Sequence, residues 1–359
     1  MVGIMEFSGE YLTILYHWFM SFITLLPYLG RAGEIELWND IRVWNYEEFK
    51  NIYIPNAEKR AQSDRIVNMY ENPQWVNAIS KGSNGLCSFD AKTIRHVQLL
   101  LFITTLAKGN TLASAIGNDS TSSSSENFTY SSYSIDPRAT SIKHKMDPIF
   151  KNSYWTLPIR NGVIPKPFFM KERTPENTKI DMQLLNALLK LRKGKNRLLE
   201  KIYDSAEMMV VPLMNNNIIS STAVYILIVC AFENLLGEKR HTVKNAIDRY
   251  FQGAALHPSF IMNNGKIKPE TDANGKQIKR TRYALWYEQL VRFRNKVAHG
   301  GGMPEISNQN YHGQSHRYIA VLMYIACLKG IIEENTGVVL PGTVIRKKQG
   351  GDMWFVYKE

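Results

Sequence analysis

The 359-residue chain reads as a mainly α protein. A mixed α+β domain is expected over residues 1–165, followed by a helical bundle over 166–359 that ends in a short strand tail. Three observations predict this. From Asp181 to Glu334 apolar residues recur at helical spacing in successive segments. Near the N-terminus, Glu34–Trp38 and Asp40–Trp44 alternate polar and apolar residues as half-buried strands do. Pro158, Pro165 and Pro167 punctuate the junction between the halves.

In chain order, Tyr11–Leu29 carries no formal charge and is long enough to resemble a membrane span. Glu6 and Glu10 precede it without Lys or Arg, which argues against a signal peptide. Thr13, His17, Ser21 and Thr24 would form one polar stripe on a helix, so the segment reads as a buried or partly buried soluble helix. Membrane contact is the alternative. Asn39 and Asp40 supply a turn between the two strands. Tyr46–Tyr70 is polar and partly helical, and Val97–Ala107 is an apolar helix ending near Gly109. Gly117–Pro137 is Ser-rich without helical period and reads as a loop.

The second half predicts five helical segments. Asp181–Met209 carries Leu184, Leu185, Leu188, Leu189 and Leu191, then the basic residues Arg192, Lys193, Lys195 and Arg197. Asn217–Leu236 is strongly apolar, and Glu238–Phe251 is amphipathic. Asn-Gly pairs at 264–265 and 274–275 signal turns that bracket a small hairpin. Arg282–His299 and Ser315–Glu334 complete the helices, and Thr343–Tyr357 could add strands.

Hydrophobic residues at 44% and charged residues at 21% are ordinary for a soluble globular protein. The net charge of +12 favours a polyanionic partner, nucleic acid ahead of membrane. Between Gly237 and His299 there are 13 Lys/Arg against 5 Asp/Glu, so +8 of the +12 lies there. Cys87, Cys230 and Cys327 lack the paired spacing of a zinc site or disulfide framework. Cys230 and Cys327 read as buried thiols, which suits a reducing cytosol. No glycine loop of the Walker type is present, and no cofactor or metal is expected. His312 and His316 have metal-compatible spacing but no third ligand.

The chemistry concentrates in Arg292-Phe293-Arg294-Asn295-Lys296-Val297-Ala298-His299, followed by three glycines. Trp286, Leu290, Phe293 and Val297 form the core stripe of this helix, leaving Arg294, Asn295 and His299 off it. An arginine can stabilise a pentavalent phosphorane and a histidine can move the proton, so the pair suffices to cleave RNA without a metal. On an ideal helix Arg294 and His299 lie about 140° apart, so a shared phosphate needs the glycines to end the helix at the histidine, or a second copy of the chain. The helix dipole favours a charged His299 while Arg292, Arg294 and Lys296 oppose it. The same pattern also reads as plain C-terminal capping by basic residues and glycine. Tyr283, Trp286 and Tyr287 beside Arg282 could stack bases or belong to the core.

The segment resembles the RxxxxH signature of the HEPN family (higher eukaryotes and prokaryotes nucleotide-binding), with Arg294, Asn295 and His299 at the matching positions. Ala231-Phe232-Glu233-Asn234-Leu235-Leu236 resembles the apolar helix ending in Glu of its Apea-like branch. The resemblance covers residues 180–335. It implies a dimerising helical bundle whose paired Arg/His sets face one cleft in a metal-independent endoribonuclease, often a toxin or effector of prokaryotic antiviral defence. By that resemblance His299 is the acid/base, Arg294 the transition-state clamp and Asn295 a 2′-hydroxyl or phosphate contact. Glu233 and Arg292 would be supporting residues, and Lys296, Arg282 and Arg280 nucleic-acid contacts. The expected partners are RNA, a second protomer or higher homo-oligomer, and a regulatory protein or phage-derived trigger, with the chain in the cytoplasm. The alternative is a non-catalytic HEPN module binding nucleotide, RNA or a partner protein.

Overall fold

A computed structural model describes residues 21–27, 29, 33–38, 40–70, 72–107, 129–147, 153–159, 180–194, 197–213, 221–251, 254–263, 266–299, 310–311 and 314–341. The chain divides into two compact units, each built from two stretches of sequence. One comprises Met1–Gln98 and Glu126–Thr178, the other Leu99–Ser125 and Lys179–Glu359.

The first unit holds one seven-stranded sheet, which overturns the expectation of a mainly α protein. Its strands are β1 (Ser21–Leu26), β2 (Ile35–Glu36), β3 (Ile41–Asn45), β4 (Asn77–Lys81), β5 (Tyr130–Ile135), β6 (Ser141–Asp147) and β7 (Ser153–Pro158). Their spatial order is β2-β3-β4-β1-β5-β6-β7, and every pair is antiparallel.

Two misread segments explain the correction. Ser21–Leu26, expected to be helical, is the central strand β1. A strand buried on both faces shows a continuous apolar run that periodicity cannot tell from a buried helix. Thr24, read as part of a helical polar stripe, sits opposite Ser132 and their hydroxyls share a hydrogen bond of 2.7 Å. Residues 11–20 of that segment lie outside the described residues. Tyr130–Ile135, at the end of the Ser-rich stretch, is β5 and every residue in it is buried. Its serines fit because the sheet supplies partners. Ser132 has Thr24, and Ser134 Oγ accepts from the Lys143 amide at 2.8 Å.

The β2–β3 hairpin forms with Ile35 opposite Val43. Its turn holds Asp40 at φ 59°, a left-handed conformation that a short polar side chain tolerates better than most. Helices α1 (Tyr46–Tyr53) and α2 (Ala57–Val67) begin at Asn45 and Asn56, whose side chains accept from the Glu47 and Lys59 amides. Phe49, Ile66 and Val67 from these helices pack with Ile23, Leu25, Trp44, Tyr133 and Ile142 of the sheet. His144 is buried in the sheet, its ring stacked on Tyr133 at 4.3 Å. The Tyr133 hydroxyl shares a 2.7 Å hydrogen bond with that of Tyr70. Helix α3 (Ala91–Leu106) covers the predicted apolar helix and spans the division between the units.

The second unit contains α4 (Met182–Lys193), α5 (Arg197–Val210), α6 (Ser221–Leu236), α7 (Arg240–Tyr250), α8 (Arg282–Ala298) and α9 (His316–Thr336). It is not a plain helical bundle. Between α7 and α8 lie β8 (Leu256–Pro258), β9 (Phe260–Asn263), β10 (Lys266–Pro269) and β11 (Lys279–Thr281), paired β8 with β11 and β9 with β10. A further pair, β12 (Asn310–Tyr311) with β13 (Gln314–Ser315), precedes α9. The strands are only two to four residues long, too short to show a period-2 pattern in sequence. The expected strands in Thr343–Tyr357 lie outside the described residues, as do Gly300–Gly302 and His312.

Helix α9 is buried continuously from Ile319 to Gly330. The one basic residue in that run, Lys329, pairs with Asp181 at 3.2 Å and donates to the Pro341 carbonyl at 3.0 Å. Asp181 also caps α4 by accepting from the Leu184 amide. Gly330 lies under the ring of Tyr250, and a Cβ built there would overlap it. Gly330→Ala should therefore lower stability by about 1 kcal/mol, because the overlap outweighs alanine's helix preference. Thermal unfolding checks this; a raised Tm would show that the ring moves freely. Of the cysteines, Cys327 is buried, whereas Cys230, expected to be buried, is half-buried. Among the described residues no helix is long and apolar enough to cross a membrane.

Candidate active site

Helix α8 is set in place by its apolar face and its cap. Trp286 and Leu290 are buried as the stripe predicts, and so are Tyr283, Tyr287 and Val291. Phe293 and Val297 are only partly buried. Phe232 of α6 meets the rings of Trp286 and Tyr287 at 5.8 and 5.9 Å. The Trp286 indole donates to Nδ1 of His316 at 2.9 Å, which gives that histidine a packing role in the core. Thr281 caps the helix, accepting from the Ala284 amide while Asp248 accepts from the Thr281 amide and hydroxyl. Tyr283 and Tyr287 cannot stack bases where they are, since both are buried.

The helix stays regular through Ala298, and His299 is its C-cap, its amide donating to the Asn295 and Val297 carbonyls. His299, Asn295 and Lys296 are exposed. Arg294 donates from Nη2 to Oε1 of Glu233 at 2.8 Å, with both side chains about a quarter exposed. Glu233 stands in the last turn of α6, just before Gly237, whose φ of 132° and close approach to Thr242 require glycine. Burial raises the Glu233 carboxyl above the usual range, and the Arg294 guanidinium pulls it back. The Nε of Arg294 is buried without a hydrogen-bond partner among the described residues.

The structure thus brings Arg294 and Glu233 together. Among the described residues no hydrogen bond or ion pair joins either to His299 or Asn295. Arg292 takes a different carboxylate. Its Nε donates to Glu288 at 3.2 Å and its Nη2 to the Phe260 carbonyl at 2.7 Å.

Sequence reasoning missed the group that surrounds Arg292. Glu288 is buried among Arg240, Lys244 and Arg292, with Lys244 at 3.3 Å. Lys244 also reaches Glu270, at 2.9 Å. Glu270 in turn accepts two bonds from Arg280, at 2.8 and 3.0 Å, and one from Ser259 at 2.6 Å. Burial, with Arg292 and Arg294 nearby, lowers the Arg240 pKa. The readable signal was a carboxylate, Glu288, one turn before Arg292 and beside core aromatics. Its other partners come from α7 and were not legible.

This network corrects one expected nucleic-acid contact. Arg280 is 4% exposed and spends its guanidinium on Glu270, Asp248 and Asn245, so it ties strand β11 to α7 and is not open to a phosphate. Arg282 is half-buried. No family model, curated protein or solved structure matches this chain. The HEPN resemblance therefore rests on the sequence of residues 180–335, with its Arg/His motif on α8 and the Glu233 segment on α6.

Proposed function

We propose that the chain is a metal-independent endoribonuclease of HEPN type, active as a homodimer in the cytoplasm and serving as a toxin or effector of antiviral defence. The observation that supports it best is the state of Arg294. This guanidinium is held at one edge by Glu233, five residues before an exposed histidine that ends the same helix. A pre-oriented arginine costs little reorganisation when charge develops on a phosphate.

In this reading a His299 imidazole removes the 2′-hydroxyl proton, and the 2′-oxygen forms the new bond to phosphorus. Arg294 balances the extra negative charge of the phosphorane, with Asn295 holding the 2′-hydroxyl or a phosphate oxygen. The P–O5′ bond then breaks, and the leaving oxygen takes a proton from an imidazolium. The products are a 2′,3′-cyclic phosphate and a 5′-hydroxyl. The second protomer brings its own Arg/His pair to the cleft, which supplies the acid and base together.

RNA digestion with end-group analysis tests this. Wild type should cleave in the presence of chelator, and Arg294→Ala and His299→Ala should each lose at least about a hundredfold in rate while remaining folded. Undiminished cleavage by either folded variant removes its assigned role. A second reading, an HEPN module that binds RNA without cutting it, is favoured by one observation: Arg294 already has a carboxylate partner and no described bond to His299. It expects RNA binding that weakens steeply with salt and no cleavage.

A further inference from the structure

The residue before Glu288 is a tyrosine that the nuclease reading leaves unused. Tyr287 is fully buried, its ring against that of Phe232 at 5.9 Å, and its hydroxyl has no hydrogen-bond partner among the described residues. A buried hydroxyl in that state costs free energy, and in native proteins such groups mark where an ion or an ordered water is held. Two further donors are in the same state, the Nε of Arg294 and the Nε of Arg240.

These three groups belong to one junction of α6, α7 and α8. Phe232 sets Tyr287 beside Glu233, the carboxylate that holds Arg294. Arg294 itself follows Tyr287 by about two turns on the same face of α8. Arg240, the first residue of α7, is ion-paired with Glu288, the neighbour of Tyr287. Burial and Glu233 raise the Tyr287 pKa while Arg294 and Arg240 pull it back, so all three charges act on that hydroxyl. The charge is unbalanced, because Glu233 and Glu288 between them serve Arg240, Arg292, Arg294 and Lys244. Arg240 and Arg294 keep 33% and 28% of their side chains exposed, so both guanidiniums are reached from solvent.

We infer that this junction is an oxyanion site: the Tyr287 hydroxyl and the Nε–H groups of Arg240 and Arg294 donate to a phosphate group that enters between the two guanidiniums. Three donors, two of them charged, favour an anion over water or a cation, and charge-assisted bonds of this kind suit phosphate oxygens. Neither Tyr287 nor Arg240 belongs to the RxxxxH motif. The site shares Arg294 with the nuclease reading but requires no cleavage. An RNA backbone and a free phosphate ion offer the same oxygens, and the experiment separates them.

The test is thermal unfolding of full-length wild type and Tyr287→Phe in inorganic phosphate, with sodium chloride of equal ionic strength as control. At about ten times the phosphate dissociation constant the wild-type Tm should rise by about 3 °C. Phenylalanine keeps the ring and removes only the hydroxyl. Without phosphate, the Tyr287→Phe Tm should equal or exceed that of wild type, because an unpartnered buried group is gone. Its phosphate affinity should fall about tenfold. Arg240→Lys, which keeps the charge without the Nε–H, should weaken phosphate comparably while remaining folded. No rise in wild type overturns the site, and so does an undiminished rise in Tyr287→Phe. A Tyr287→Phe Tm well below wild type in the absence of phosphate places the hydroxyl in a bond within the free protein and also overturns it. Fluorescein-labelled oligo(U), bound to full-length His299→Ala protein, identifies the source. Displacement by phosphate, with about tenfold weaker oligo(U) binding once Tyr287→Phe is added, assigns the site to an RNA phosphate. Phosphate binding without displacement assigns it to a free phosphate, and either result supports the site. Wild type that binds phosphate through Tyr287 yet cleaves no RNA supports the site and removes the nuclease reading.

Discussion

Glu270→Gln should destabilise the second unit by about 3–5 kcal/mol, the cost of stripping a buried charge pair of one member. Glu270 is one carboxylate serving Arg280 twice, Lys244 and Ser259, all at 2.6–3.0 Å. Glutamine keeps the shape and part of the hydrogen bonding but leaves Lys244 and Arg280 short of one negative charge in a site with little water. Burial alone would raise the Glu270 carboxyl pKa. The bonds from Arg280, Ser259 and Lys244 overcome that and hold it far below the carboxylate range. Urea unfolding followed by tryptophan fluorescence measures the effect. A midpoint equal to wild type would mean that Asp248 and Glu288 carry the two cations unaided.

The first unit should lose roughly 3 kcal/mol of stability as pH falls from 6.5 to 4, and His144→Phe should abolish most of that loss. His144 is fully buried against Tyr133, and burial lowers its pKa from 6.5 to about 4. Between those values the unfolded chain binds a proton that the folded chain refuses, so stability rises with pH across the window and is complete above it. Phenylalanine keeps an aromatic ring over Tyr133 without the titration. The Glu270 contribution has the same sign but a lower window. It is fully present above the unfolded carboxylate pKa and is lost progressively as pH falls from there towards a folded value far lower, so between pH 4.5 and 6.5 the loss belongs to His144. Stability measured at pH 7.0, 5.5 and 4.5 distinguishes them; a variant as acid-sensitive as wild type would refute the assignment to His144.

How much could be read in advance depended on how local the determinant was. Helix α8 from Arg282, the Trp286 and Leu290 positions of its stripe and its end at His299 follow from residues within a few turns of one another, whereas Phe293 and Val297 are only partly buried. The same holds for the β2–β3 hairpin, whose alternation and turn residue Asp40 are contiguous. Strand β1 was lost because its polar Thr24 is explained only by Ser132, 108 residues on. Strand β5 was lost because serines look loop-forming until β1 and β6 supply their partners.

The candidate site divides in the same way. The order Arg294, Asn295, His299, the surplus of positive charge around them and the carboxylate at the end of α6 were all set by the sequence itself, because each is a matter of residue type and short spacing. Only the packed chain decided that Glu233 meets Arg294 across 61 residues, that Arg280 turns inward to carboxylates, and that Lys268, Lys276 and Lys279 stay outside. A charge reads the same in sequence whether solvated or buried. Its partner is chosen by which elements burial of apolar surface presses together, and that choice is non-local.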